Sequence, residues 1–433
     1  MKKTLLLILT LLTSYVGMAQ ETYQPTAENL KAREQFQDDK FGIFLHWGLY
    51  SMMGTTEWIM TNRDINYKEY PKLAKTFYPS EFDADAWVKA IKAAGAKYIT
   101  ITTRHHDGFS LFKTATSTYN SVDGTPFKRD IIKEMADACQ RNGIKLHLYY
   151  SHLDWGREDY PVGRTGTGTG RPKEKANWAS YYKFMNTQLT ELLTNYGKVG
   201  AIWFDGWWDH DSDAKPFDWQ LEEQYALIHK LQPQCLVANN HHHTPFPGED
   251  IQIFERDLPG ENKAGLSGQS IGRLPLESCQ TINEHWGYNI TDTLYKSPKE
   301  LIQMLVRAAG KNANLLFNIG PEPGGALPEL ALNRLQAIGE WLNKYGETIY
   351  GTRGGIVGPH EWGVSTQRGN KLYIHILNCM DSSLFIPTGN HKIKSATVFG
   401  TNKRANFTKT GNGITLNFDT VPTDIDYIVE LTL

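Results

Sequence analysis

Strand-like and helix-like segments alternate along most of this chain, and that alternation constrains the fold more than any single motif does. Phe41–Leu45 reads as a buried strand. Phe82 to Ala94 has helical spacing through Trp87, Ile91 and Ala94, and Gly95 ends it. Ala96 to Thr102 is the next strand. A helix from Asp130 to Arg141 opens on an acidic cap and closes at Gly143, before the strand Ile144 to Tyr150. The pattern continues with helix Trp178 to Tyr196, strand Val199 to Asp205, helix Leu221–Leu231 and the short strand Cys235 to Ala238. From His241 to Pro275 the chain is polar, rich in Gly and Pro, and irregular. Only Ile251 to Phe254, and Leu274 to Ser278 at its end, look like strands there. Helix Lys299 to Ala309, strand Asn314 to Ile319 and helix Pro328 to Tyr345 complete seven or eight β/α repeats. Strands apolar on both faces are buried on both faces. The expectation is therefore an α/β fold, a parallel (β/α)8-type (TIM-like) barrel, with a doubly wound sheet as the competitor.

Beyond Gly351 the pattern changes. Lys371 to Leu377, Ile393 to Phe399, Ile414 to Phe418 and Tyr427 to Leu433 alternate with period two and have no helix between them, which predicts a small C-terminal antiparallel β-sandwich. The expected organisation is a leader over residues 1–19, a barrel over 20–350 and the sandwich over 351–433. The leader has a basic start (Lys2, Lys3), an apolar run from Thr4 to Val16 and small residues around a cut after Ala19. It is too short to remain as a membrane span. Its form is bacterial, so the expected destination is the periplasm or the medium.

Composition excludes more than it suggests. Net charge is −2, with 45 basic and 47 acidic residues, so nothing favours nucleic acid as a partner. No apolar segment after the leader is long enough for membrane insertion. Cys139, Cys235, Cys279 and Cys379 lack ligand spacing and read as buried thiols rather than a disulfide framework or a zinc site. Aromatics reach 12% of the chain, including 12 Trp, a supply that suits a sugar-binding cleft.

The chemistry gathers at strand ends. His46-Trp47, His105-His106, Tyr149-Tyr150 and Asp205 follow four consecutive strands, and barrel topology brings those ends to one mouth. Trp203, Trp207 and Trp208 surround Asp205 with flat apolar faces on which a sugar ring can stack. His105 and His106 are adjacent, so in a regular strand they point to opposite sides and cannot chelate one ion; no metal and no cofactor is expected. No Gly-x-Ser-x-Gly elbow, P-loop or Gly-x-Gly-x-x-Gly turn occurs. A carboxylate among indoles and imidazoles remains, the make-up of glycoside hydrolysis, which needs two carboxyl groups.

Six stretches carry a resemblance. Lys40 to Gly48, Thr56-Glu-Trp58, Arg104-His-His-Asp-Gly-Phe109, Tyr149-Tyr-Ser151, Ile202-Trp-Phe-Asp-Gly206 and Thr281 to Asn289 together resemble the α-L-fucosidases of glycoside hydrolase family 29. The resemblance implies a retaining enzyme that removes terminal α-L-fucose from oligosaccharides or glycoconjugates through a covalent intermediate. It also implies Asp205 as nucleophile. His46, Glu57, Trp58, His105, His106 and Tyr149 match positions that bind the fucose hydroxyls, and Trp286 matches an aromatic under the C5 methyl. The acid/base falls in a variable loop containing Glu249, Glu255, Glu261 and, at its end, Glu277. Glu261 is the expected residue, with Glu255 next. Two other readings fit the same residues: a non-catalytic carbohydrate-binding barrel and an inverting glycosidase.

Overall fold

The computed structural model describes residues 23–401 and 403–433, so the expected leader and its cut after Ala19 lie outside the described residues. Eight parallel strands form one sheet: β1 (Phe41–Leu45), β2 (Tyr98–Arg104), β3 (Lys145–Ser151), β4 (Ala201–Asp205), β5 (Leu236–Asn239), β6 (Gln252–Glu255), β7 (Leu276–Thr281) and β8 (Ala313–Ile319). Their order is β5-β4-β3-β2-β1-β8-β7-β6, and a parallel bridge between Ala238 and Ile251 joins the two edges into a nearly closed barrel.

The helices are α1 (Ala27–Asp39), the short α2 (Ile59–Asn62), α3 (Ala84–Ala93), α4 (Ile131–Asn142), α5 (Trp178–Asn195), α6 (Leu221–Leu231), α7 (Pro298–Gly310) and α8 (Glu329–Tyr345). Side chains set their ends. Asp83 and Asp130 accept the N–H groups of Ala86 and Lys133, and Ser297 with Glu300 closes a capping box on α7. The repeat is not strict. Among the described residues no helix separates β5 from β6 or β6 from β7. The Gly- and Pro-rich segments 240–251 and 256–275 bridge those strands as loops, which leaves them free to fold over the barrel mouth.

Two apolar layers hold the barrel. Outward-facing residues such as Ile43, Ile99, Leu148 and Ile202 pack beneath the helices. The interior is filled by Phe44, Tyr98, Tyr149, Trp203, Leu316 and neighbours, with Phe36 of α1 closing the lower end 5.4 Å from the Tyr98 ring. Gly42 in β1 is required there, because a Cβ at that position would sit 2.3 Å from the Tyr98 ring.

From Arg353 onward two antiparallel sheets follow. One has the order β13-β16-β11-β10-β9, from β9 (Arg353–Gly354), β10 (Gly363–Arg368), β11 (Lys371–Ile376), β13 (Ser395–Val398) and β16 (Tyr427–Thr432). The other is β12 (Ser383–Ile386), β15 (Gly413–Asn417) and β14 (Asn406–Thr410), in the order β12-β15-β14. The outer core continues into this region through Val364, Tyr373, Leu377 and Ile428, and Gln303 of α7 donates to the carbonyls of Leu377 and Ile425 at 2.9 and 2.8 Å. Among the described residues no helix is long and apolar enough to cross a membrane.

Candidate active site

The strand ends converge as barrel topology requires. At the C-terminal mouth a cavity of about 190 Å³, room for a single sugar ring, is lined by His46, Glu57, Trp58, His105, His106, Trp203, Asp205, Trp208, Glu255 and Trp286. Tyr149 lies fully buried behind that wall, and its hydroxyl donates to Asp205 Oδ2 at 2.9 Å. A larger cavity, about 930 Å³, lies at the opposite end, between α1 and the starts of the strands. It lacks the clustered carboxylates and indoles of the upper one.

Asp205 ends β4, and Gly206 follows in a left-handed conformation with φ of +92°. That turn aims the Gly206 N–H back at Asp205 Oδ1 (2.8 Å) and brings the Trp208 indole N–H to 3.0 Å from the same oxygen. Burial, and then the charge of Glu255, push the Asp205 carboxyl up to about 6, while the bonds from Trp208 and Tyr149 pull the other way.

Glu255 ends β6. Its Oε2 accepts from Asn240 Nδ2 at 2.8 Å and lies 2.9 Å from His242 Nε2. Burial works to raise this carboxyl, but the bond and charge of His242, then the Asn240 amide and Arg256, outweigh it and hold it below the usual glutamate range. Asn240 Nδ2 also lies 3.5 Å from Asp205 Oδ1, so one amide nitrogen touches both carboxylates. Glu261 is elsewhere. It pairs with Lys311 at 3.0 Å and Lys263 at 3.1 Å and does not line the cavity, away from the place expected for it beside Asp205. The segment 256–275 carries it to Lys311 just past the end of α7, a path that spacing along the chain does not reveal.

The other two loop glutamates are also occupied. Glu249 is buried against His241 and Tyr225. Glu277 lies under the cavity floor, accepting from Tyr98 Oη at 2.6 Å and Trp203 Nε1 at 2.9 Å. Burial raises the Glu277 carboxyl to about 7, against those two bonds. A carboxyl raised above its unfolded value of about 4.3 adds nothing unfavourable below that pH, and costs stability as pH rises through 7. Glu277→Gln is therefore expected to melt above wild type at pH 8 and close to it at pH 5. A melting difference that ignores pH would count against a raised Glu277 carboxyl in the native barrel.

The histidines are neutral acceptors. Burial lowers His46 to about 4 and takes His105 and His106 well below the usual histidine value. Asn318 uses its amide N–H on Trp286 O, so its Oδ1 accepts from His46 Nδ1 at 2.6 Å and leaves Nε2 bare. Ser151 Oγ donates to Leu153 O and accepts from His106 Nδ1 at 2.7 Å, which leaves His106 Nε2 facing Asp205 Oδ2 at 3.5 Å. His105 Nδ1 is buried without a partner among the described residues. Acceptors without partners in a dry wall are what sugar hydroxyls satisfy. Glu57 adds a carboxylate held by the Gly287 N–H at 2.9 Å, and Trp58 stacks on Trp208 with centroids 5.5 Å apart.

The alternation argument for His105 and His106 fails, because β2 ends at Arg104 with a register slip after Thr102. Both rings line the cavity, centroids 4.1 Å apart. The metal-competent cluster found among the described residues is Glu284, His285 and Asp292, outside the cavity. Asp292 Oδ2 already accepts from the N–H groups of Glu284 and His285 and from the Asn283 amide, and it lies 2.8 Å from His285 Nδ1. It therefore reads as a clasp for the loop that carries Trp286.

Asn240 and His242 were not anticipated from the sequence. The signal was present in Asn239-Asn-His-His-His243, a polar run ending β5 as His105-His106 ends β2.

The family profile described as Alpha-L-fucosidase matches residues 10–347, most of the chain. This protein belongs to the α-L-fucosidase family. Its relatives in that glycosidase family include the plasma α-L-fucosidase of Rattus norvegicus, 30% identical over 84% of this chain and 82% of its own. Among solved family structures, α-L-fucosidase isoenzyme 1 from Paenibacillus thiaminolyticus shares 34% identity at a TM-score of 0.83, covering 94% of this chain and 99% of its own. A Bacteroides thetaiotaomicron family 29 α-L-fucosidase shares 27% identity at a TM-score of 0.81, over 95% of this chain and 97% of its own. It was captured as a covalent intermediate with 2-fluoro-fucosyl fluoride in a glutamate-to-glutamine mutant.

Proposed function

We propose that this chain is an exported, retaining α-L-fucosidase that releases terminal α-L-fucose from oligosaccharides or glycoconjugates, with Asp205 as nucleophile and Glu255 as general acid/base. One observation carries the assignment: the Asn240 amide lies 2.8 Å from one carboxylate and 3.5 Å from the other. Their two oxygens are therefore no farther apart than those distances laid end to end. That bound holds for the facing oxygens, and it favours a retaining pair, whose carboxyl groups stand about 5–5.5 Å apart, over an inverting pair at roughly 6.5–9.5 Å.

In the first step Asp205 attacks C1 as the bond to the leaving oxygen breaks, and the Glu255 proton passes to that oxygen. In the second, the Glu255 carboxylate takes a proton from water, the water oxygen bonds to C1, and Asp205 departs. His46 presents a bare Nε2 acceptor to a sugar hydroxyl, Glu57 accepts another, His106 lines the wall beside Asp205, and Trp286 covers the deoxy edge. Export is supported by the basic start and apolar run of the leader, and N-terminal sequencing of the mature protein should begin after Ala19.

Azide tests the carboxylate roles. Glu255→Ala should still form the fucosyl-enzyme from an activated aryl α-L-fucoside but hydrolyse it slowly. Azide should restore turnover and yield α-L-fucosyl azide, since a small anion needs no general base. A β-configured azide product, or no response to azide, would remove Glu255 from the role.

A further inference from the structure

His242 occupies a conformation that its neighbours must enforce. Its φ is +65°, in the left-handed region that non-glycine residues seldom adopt, and Arg256, immediately after Glu255, has φ of +58°. Such residues are strained and persist where the surroundings over-determine them. Here the enforcement is visible. His241 is buried with Nε2 3.0 Å from Glu249 Oε1, and its Nδ1 accepts the His243 N–H at 3.0 Å, so the chain on both sides of His242 is pinned. Arg256 is tied to the Glu284 carbonyl at 3.1 Å and lies over the Trp286 ring at 5.1 Å. Between these two strained turns, His242 Nε2 meets Glu255 Oε2 at the cavity wall.

We propose that His242 is a positioning residue for the general acid/base, aiming the Glu255 carboxyl into the cavity and sharing with it the single proton that the first step consumes. This rests on the role given to Glu255 above. The proton resides in the Glu255–His242 hydrogen bond at rest and passes to the leaving oxygen as the C1–O bond breaks. It is replaced by the proton that Glu255 takes from water in the second step. The titratable and charged groups facing the pair are Asp205 from β4, His46 just after β1, His241 and His243 from its own loop, Arg256 beyond β6, Cys279 from β7, and Arg164 from the loop after β3. On Glu255 alone the proton is held by burial and by repulsion from the Asp205 charge, and the imidazole at 2.9 Å gives it a second seat.

The experiment is the pH profile of kcat/KM for aryl α-L-fucosides of graded leaving-group ability, measured on His242→Asn, His242→Gln and, in parallel, Glu255→Gln. Asparagine tolerates the left-handed backbone but is too short to reach Glu255. It should move the basic limb down by about one pH unit and slow poor leaving groups about ten- to a hundred-fold, with activated ones little changed. Glutamine restores an N–H donor without a second proton seat, so kcat should recover while the limb stays shifted. If His242→Asn does not fold, the limb of His242→Gln decides. Profiles of both variants that superimpose on wild type, while Glu255→Gln shows the leaving-group dependence, would overturn the role of His242 alone. Absence of that dependence in Glu255→Gln would overturn both assignments.

Discussion

Asp205→Asn is expected to lower fucoside turnover by about 10⁴-fold or more, the scale seen when a nucleophile is removed from an otherwise intact site. Fucose binding should persist, since His46, His106, Glu57 and Trp286 are untouched. The same change should stabilise the fold at neutral pH. The Asp205 carboxyl is raised to about 6 by burial and by Glu255, so in the native state it holds its proton more tightly than in the unfolded chain. The sign follows: its ionisation costs nothing below about pH 4, and the cost grows as pH rises through 6 and stays thereafter. The variant should therefore melt with wild type at pH 4 and gain on the order of 1–3 kcal/mol by pH 8. Calorimetry across that range, with isothermal titration of fucose, checks both halves. Wild-type kcat in the variant would end the nucleophile assignment, and a melting gap that does not vary with pH would end the electrostatic account.

Arg104→Met is expected to be the most damaging substitution for the fold, by about 3–5 kcal/mol. Arg104 and Asp154 have fully buried side chains 2.5 Å apart, and the guanidinium also donates to Ser151 O and Tyr181 Oη. Removing the cation leaves a buried carboxylate with the N–H groups of Gly156 and Arg157 and the more distant Arg157 charge. Burial works to raise Asp154, but the Arg104 and Arg157 charges outweigh it and keep the carboxyl below its ordinary value. A depressed carboxyl contributes stability above the unfolded value, about 3.9, and loses it as pH falls through the folded one. The double variant Arg104→Met with Asp154→Leu should recover most of the loss at neutral pH, because the unpaired charge is then gone. Activity should fall with the single variant, since Arg104 fixes the end of β2 from which His105 and His106 enter the cavity. Thermal melts of the two variants decide it. A single variant within a degree or two of wild type would show that the pair carries little of the barrel's stability.

Much of the architecture was legible because it depends on short-range pattern. Asp83, Asp130, Gly95 and Gly143 mark helix ends by what their side chains and left-handed backbone can do locally, and the helices begin and end within a residue or two of them. Apolar runs bounded by polar residues marked the strands, including β6 and β7 inside the irregular region. Strands β9, β10, β12 and β14 were not anticipated: polar residues such as Ser365, Gln367, Thr408 and Lys409 break the alternation of β10 and β14, and β9 and β12 are only two and four residues long. The missing helical layer between β5 and β7 was legible as well, since residues 241–275 carry no helical period and among the described residues no helix forms there. A repeat that omits its helix leaves no periodic signal.

By itself the chain determined the parallel barrel and the trailing antiparallel sheets, and it set histidines, indoles and Asp205 at the ends of strands. Those features follow from hydrophobic period and from residue types at element boundaries, which act over a few positions. Only the tertiary structure decided which glutamate faces Asp205, where both imidazoles of His105-His106 point, and that Asn240 and His242 share the cavity. Each of these depends on how long loops cross the barrel mouth and on a register slip in β2. Contacts between residues far apart in the chain set those, and no local propensity encodes them.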